Sequence, residues 1–138
     1  MKIDPFKISF PKQRILEIKE KVEMFPWHEM PKEGGWSFGT NIDYMKHLAD
    51  YWTKKYDWES QELRLNQQPN YKTKVDDIDI HFIFKKSSSP KAIPLILIHG
   101  WPGSIVEFLD IIEPLCEPKK YGNNDEICFD IIAPSIPG

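Results

Sequence analysis

Cysteine is scarce in this chain: two residues in 138, Cys116 and Cys128, with no CxxC pair. That excludes a disulfide framework, and the two read as ordinary apolar positions in a reducing compartment. No stretch approaches the ~18 consecutive apolar residues of a membrane span. Met1–Phe6 holds no apolar core of signal-peptide length, so a cytoplasmic location is the expectation. Neither sign of charge dominates. The formal net charge is −3 with acids and bases interspersed, so there is no basic stripe for nucleic acid and no acidic tail. Internal repeats are absent, and low complexity is confined to Ser87-Ser88-Ser89.

What is plentiful is aromatic and proline. Five Trp and eight Phe favour a packed domain over disorder, and the length allows one modest core. The twelve Pro fall mainly at segment ends. Pro11 is placed in a first helical turn, and Ile15, Ile18 and Val22 then recur at helical spacing over about 12–24, before Pro26. Residues 25–39 form a loop with Phe25, Trp27, Gly34 and Trp36 that should pack on something. Thr40 with Asp43 reads as a capping box for a helix over about 41–56, carrying Met45, Leu48, Ala49 and Trp52. A short helix at 58–65 precedes Pro69.

From Tyr71 the apolar period shortens to two. Tyr71, Thr73 and Val75, then Ile78, Ile80, Phe82 and Phe84, predict a β-hairpin turning at Asp76-Asp77. Asp is tolerated there because it adopts positive φ more readily than most residues. Ile93–Ile98 is a continuous apolar run, expected for a strand covered on both faces. A helix over about 104–115 follows, with either Val106, Leu109 and Ile112 or Phe108 and Leu115 facing inward. After a polar turn at Tyr121–Glu126, Cys128–Ala133 is a second strand. Strand, helix and strand within forty residues predict a parallel βαβ unit. The fold class is α/β.

One constellation carries chemistry: His99-Gly100-Trp101-Pro102-Gly103-Ser104, between the strand and the helix. Two glycines and a proline in four positions bend the chain sharply, so turn amides and a helix start converge on a small space. From the residues alone, a plain strand-to-helix turn and an oxyanion or phosphate cradle both remain open. The segment is neither a Walker loop nor GxGxxG. Nor is it a GxSxG elbow, so Ser104 reads as a helix cap and not as a nucleophile. Asp76, Asp77 and Asp79 read as turn acids and not as a metal site. His28, His47 and His81 have no metal-ligand spacing with a carboxylate partner. No cofactor is called for.

At this turn and on both sides of it the chain resembles the microsomal-type epoxide hydrolases, including juvenile hormone epoxide hydrolases. The resemblance rests on Trp36-Ser37-Phe38-Gly39-Thr40, Asp43-Tyr44, Asp50-Tyr51-Trp52 and Asp79-Ile80-His81-Phe82. It continues through His99-Gly100-Trp101-Pro102-Gly103-Ser104 with Glu107-Phe108, and through Ala133-Pro134-Ser135-Ile136-Pro137-Gly138. It implies a helical N-terminal region with the hairpin at 1–90, and the start of an incomplete α/β-hydrolase core at 91–138. It also implies that the strand at 128–133 inserts between those at 79–84 and 94–98.

The chemistry so implied opens an epoxide by an Asp nucleophile, with lid tyrosines and a His base, and stabilises the ester-hydrolysis intermediate in an oxyanion hole. Carried over residue by residue, the backbone N–H of Trp101 is a donor of that hole. His99, Gly100 and Pro102 shape the turn, with Pro102 following a cis bond. His99 is thereby structural and not the catalytic base. The nucleophile, base and lid tyrosines match no residue here, so the chain is expected to be an inactive N-terminal fragment. Its expected partners are a small-molecule epoxide in the complete enzyme and, as an alternative, a complementing chain. A non-catalytic accessory domain and another α/β-hydrolase chemistry are the competing functions.

Overall fold

The computed structural model describes residues 2–29, 31, 33, 35–123 and 127–137. Gly34, the end of the polar turn at 124–126, and Gly138 therefore lie outside the described residues. The chain divides into two compact units, Ser9–Ser60 and a second made of 1–8 with 61–138.

In the first unit, α1 (Lys12–Glu23) packs against α2 (Ile42–Lys54). Both helices end within two residues of the expected boundaries, but the caps differ from expectation. Pro11 is the residue before the first helical one and not within the first turn. For α2 the cap is Asn41, whose Oδ1 accepts from the Tyr44 N–H at 3.0 Å, in place of the Thr40–Asp43 box. Asn at this position satisfies one of the orphan donors by itself. Trp36 of the preceding loop lies against Tyr44, with ring centroids 5.3 Å apart.

The second unit is built on a five-stranded sheet of order β1-β2-β3-β5-β4. Its strands are β1 (Ile3–Pro5), β2 (Asn70–Val75), β3 (Ile78–Lys85), β4 (Ile93–Ile96) and β5 (Phe129–Pro134). The hairpin turn sits where expected, with Asp76 and Asp77 at φ of 48° and 66°. β5 lies between β3, antiparallel to it, and β4, parallel to it. This is the insertion that the family resemblance implied, and the sheet runs continuously across residue 90.

One face of the sheet is covered. Lys85, Ile83, Ile131 and Ala133 share that face by register, and α4 (Leu109–Cys116) lies over it. Ile83, Ile112, Cys116, Ile131 and Ala133 are all inaccessible. Lys85 Nζ bonds Glu113 of α4 at 2.6 Å. Both cysteines are free and buried, and burial pushes the Cys116 thiol up to about 11, which keeps it protonated and inert.

Two expectations change here. The helix after the turn begins as a 3-10 segment, Ile105–Phe108, before becoming α4. That tighter first turn sends Ile105 inward and leaves Val106 exposed, so the inward set is Ile105, Leu109, Ile112 and Cys116. Second, β4 is covered on one face only. Leu95 and Leu97 are half-buried while Ile96 and Ile98 are exposed. As an edge strand with β5 as its neighbour in the sheet, β4 meets α4's layer only through alternate residues.

Candidate functional site

The His99–Ser104 turn leaves the C-terminal end of β4 and enters the 3-10 segment. Ser104 begins it as a capping box. The Val106 N–H donates to Ser104 Oγ at 3.3 Å, and the Ser104 N–H donates to Glu107 Oε1 at 3.2 Å. The box occupies two orphan donors that would otherwise point into the turn. Ser104 is thus a cap, as expected. Its partner Glu107 was legible in the Ser-x-x-Glu spacing.

The peptide between Gly100 and Trp101 is held from two sides. The Gly100 carbonyl accepts from the Gly103 N–H at 2.8 Å and from His99 Nδ1 at 2.9 Å. His99 Nε2 in turn accepts from the Ile136 N–H at 3.2 Å. A donor on Nδ1 and an acceptor on Nε2 make His99 a neutral, buried imidazole whose two nitrogens are both occupied. That arrangement leaves neither nitrogen for general-base chemistry, consistent with a shaping role.

Because C=O and N–H of one trans peptide point in opposite directions, fixing the Gly100 carbonyl fixes the Trp101 N–H. No hydrogen bond of that N–H is found among the described residues. Trp101 is 95% exposed, and the Trp101–Pro102 bond is cis. The two glycines differ. A Cβ on Gly100 would meet nothing within 4 Å, whereas one on Gly103 would lie 1.8 Å from Glu107 Oε1 and 2.9 Å from the Gly100 carbonyl. Gly103 is therefore required by close approach. Gly100 borders open space.

His81 is satisfied in a second network. Asn70, itself buried, uses Nδ2 to donate to the Leu65 and Gln68 carbonyls at 2.9 and 2.8 Å. Its Oδ1 therefore accepts from His81 Nε2 at 3.0 Å. His81 Nδ1 is left to accept from the Ser135 hydroxyl at 2.8 Å. Burial, and secondarily the Lys72 charge, hold its pKa below the usual value. Ser135 and Ile136 lie in a segment that carried the family resemblance, but nothing local pointed from them, or from Asn70, to the two histidines, because these contacts reach across 11 to 54 residues.

His28 and His47 are exposed in the first unit. Asp79 pairs with Lys74 at 3.1 Å. Among the described residues no group of three His, Cys, Asp or Glu could hold a metal ion, and no helix is long and apolar enough to cross a membrane.

The sequence model of the family described as "Epoxide hydrolase N terminus" matches residues 3–108. The chain is 39% identical to epoxide hydrolase 1 of Sus scrofa over 140 residues, covering 99% of this chain and 31% of that protein. It is also 39% identical to juvenile hormone epoxide hydrolase 1 of Ctenocephalides felis, covering 99% of this chain and 29% of that protein. The crystal structure of juvenile hormone epoxide hydrolase from Bombyx mori superposes with a TM-score of 0.85 at 34% identity, over 99% of this chain and 32% of that one. The chain thus spans about a third of the length of the relatives it matches.

Proposed function

This chain belongs to the epoxide hydrolase family through the family's N-terminal region, and from that premise we propose that it supplies the oxyanion turn of an enzyme converting small-molecule epoxides and water to vicinal diols. The reaction on this reading has two steps. A carboxylate attacks an epoxide carbon, the carbon–oxygen bond breaks, and the ring oxygen is protonated, leaving an alkyl-enzyme ester. Water, activated by a base, then adds to the ester carbonyl. The tetrahedral oxyanion receives the Trp101 N–H, and its collapse returns the carboxylate and releases the diol.

The observation that carries the proposal is the free Trp101 N–H, aimed by a Gly100 carbonyl with two donors of its own. His99, Gly100 and Pro102 hold that peptide and take no part in proton transfer. The nucleophile, base and ring-oxygen donors match no residue of this sequence, so the 138 residues by themselves should give no diol above background.

The test is a chimera in which residues 3–137 replace the matching third of the Bombyx mori enzyme. Diol formation from an aryl epoxide is expected of the chimera and not of the isolated chain. A folded, monomeric chimera with no diol formation would favour an accessory or interaction role.

A further inference from the structure

The two histidine networks meet, and their junction is at Ser135-Ile136. Ser135 is gripped by His81 twice: its N–H donates to the His81 carbonyl at 2.8 Å and its hydroxyl to Nδ1 at 2.8 Å. The next N–H in the chain, that of Ile136, is the one His99 Nε2 accepts. One planar peptide joins Ser135 to Ile136, so with Ser135 held only the ψ rotation of Ser135 stands between it and the Ile136 N–H.

We propose that Asn70, His81 and Ser135 are positioning residues of the oxyanion turn, acting on the Trp101 N–H through Ile136, His99 and the Gly100 carbonyl. The path runs without a gap. It starts at the Leu65 carbonyl near the end of α3 (Trp58–Asn66), with links of 2.9 Å to Asn70 and 3.0 Å to His81. It continues at 2.8 Å to Ser135, 3.2 Å from Ile136 to His99, and 2.9 Å to Gly100. The links from Asn70 to His81, His81 to Ser135 and Ile136 to His99 join residues 11, 54 and 37 positions apart, so the frame of the sheet adds to the hold that His99 and Gly103 have on the turn.

Each link also dictates a proton. Asn70 leaves only its Oδ1 for His81, so His81 carries hydrogen on Nε2. The Ile136 N–H leaves Nε2 of His99 as an acceptor, so His99 carries hydrogen on Nδ1. Two histidines in one chain held as opposite tautomers is a specific signature. A polar network with every member satisfied rigidifies what it joins, and a donor aimed at developing charge gains from being immobile. The inference rests on the reading of Trp101 as an oxyanion donor, but its test does not use turnover.

The test is nitrogen NMR of the 138-residue chain labelled at histidine, with amide exchange as the second reading. In the unmodified chain near neutral pH, His81 should be protonated at Nε2 and His99 at Nδ1. Ser135→Ala should shift the His99 ring nitrogens and the Trp101 amide, and speed exchange at Ile136 by about tenfold, the loss of one hydrogen bond's worth of protection. The Ile83 and Ile131 amides should stay protected, and Ser135→Thr should restore the parent signals. Opposite assignment of either tautomer overturns the relay. So does a folded Ser135→Ala chain whose His99, Trp101 and Ile136 signals equal the parent's. Failure of the donor reading looks different: relay signals as predicted, with turnover in the chimera indifferent to the Trp101 N–H.

Discussion

Two tight turns sit in the sheet-bearing unit, and they are made in opposite ways. The hairpin turn at Asp76-Asp77 is local. Both residues take positive φ, as a two-residue turn between right-twisted strands requires, and the flanking Val75 and Ile78 pair directly. The turn at His99–Ser104 is remote. Its carbonyl is held by a histidine whose other nitrogen is tied to Ile136, and its exit is fixed by a capping box. A turn that only reverses the chain can be left to two residues. The turn that, on the proposed function, aims one N–H is tied into the surrounding fold.

The comparison predicts that substitutions at the remote turn are costly and those at the local turn are mild. Gly103→Ala should be the worst. The added Cβ has nowhere to go between Glu107 and the Gly100 carbonyl, and overpacking of this kind costs about 1–3 kcal/mol. Urea unfolding of parent and variant measures it. A variant of parental stability would show that the turn relaxes freely and is not tightly held.

Ser104→Ala removes the acceptor of the Val106 N–H and should cost about 1 kcal/mol. Exchange at the Val106 and Glu107 amides should quicken while the hairpin amides do not. Acid sharpens the contrast further. His81 is held below its ordinary pKa, chiefly by burial and then by Lys72, which faces it across the β2–β3 pair, with the Phe6 ring beside it. The unfolded chain therefore takes up a proton before the folded chain does. Stability should be full above the unfolded value of about 6.5, fall as pH drops below it, and level off beneath the lowered folded value. Replacing His81 by Gln should flatten that part of the curve; an unchanged slope would assign it to other groups.

Asp77→Gly is the mildest and has the opposite sign. Relief of the left-handed cost of about 1–2 kcal/mol, less the extra unfolded freedom of glycine of about 0.5–1 kcal/mol, should leave the chain about 0.5 kcal/mol more stable. Destabilisation there would mean that an Asp77 side-chain interaction matters more than backbone strain.

The same contrast explains what was legible. Alternation at Tyr71–Phe84 and the apolar runs at 93–98 and 128–133 announce strands because their spacing is local. The motif at 99–104 announced an unusual backbone path for the same reason. Three features were not readable. Asn41 displaced Thr40 as the cap because neighbouring polar residues compete within one residue of each other. The one-sided covering of β4 depends on the strand's place in the sheet, and an apolar run cannot state that place. The relay through Asn70, His81 and Ser135 joins side chains that only the assembled sheet brings together. Nothing in the neighbourhood of His81 in the chain points to Ser135, 54 residues on.

On the proposed function, the Trp101 backbone N–H, and not its side chain, is the working group of the turn. Trp101→Pro deletes that N–H and Trp101→Phe keeps it, so ester hydrolysis in the chimera separates the two. The Pro variant should slow this step by about 10²–10³-fold, so that alkyl-enzyme ester accumulates, while the Phe variant should stay within about tenfold of the parent. A folded Pro variant that releases diol at the Phe variant's rate would contradict it.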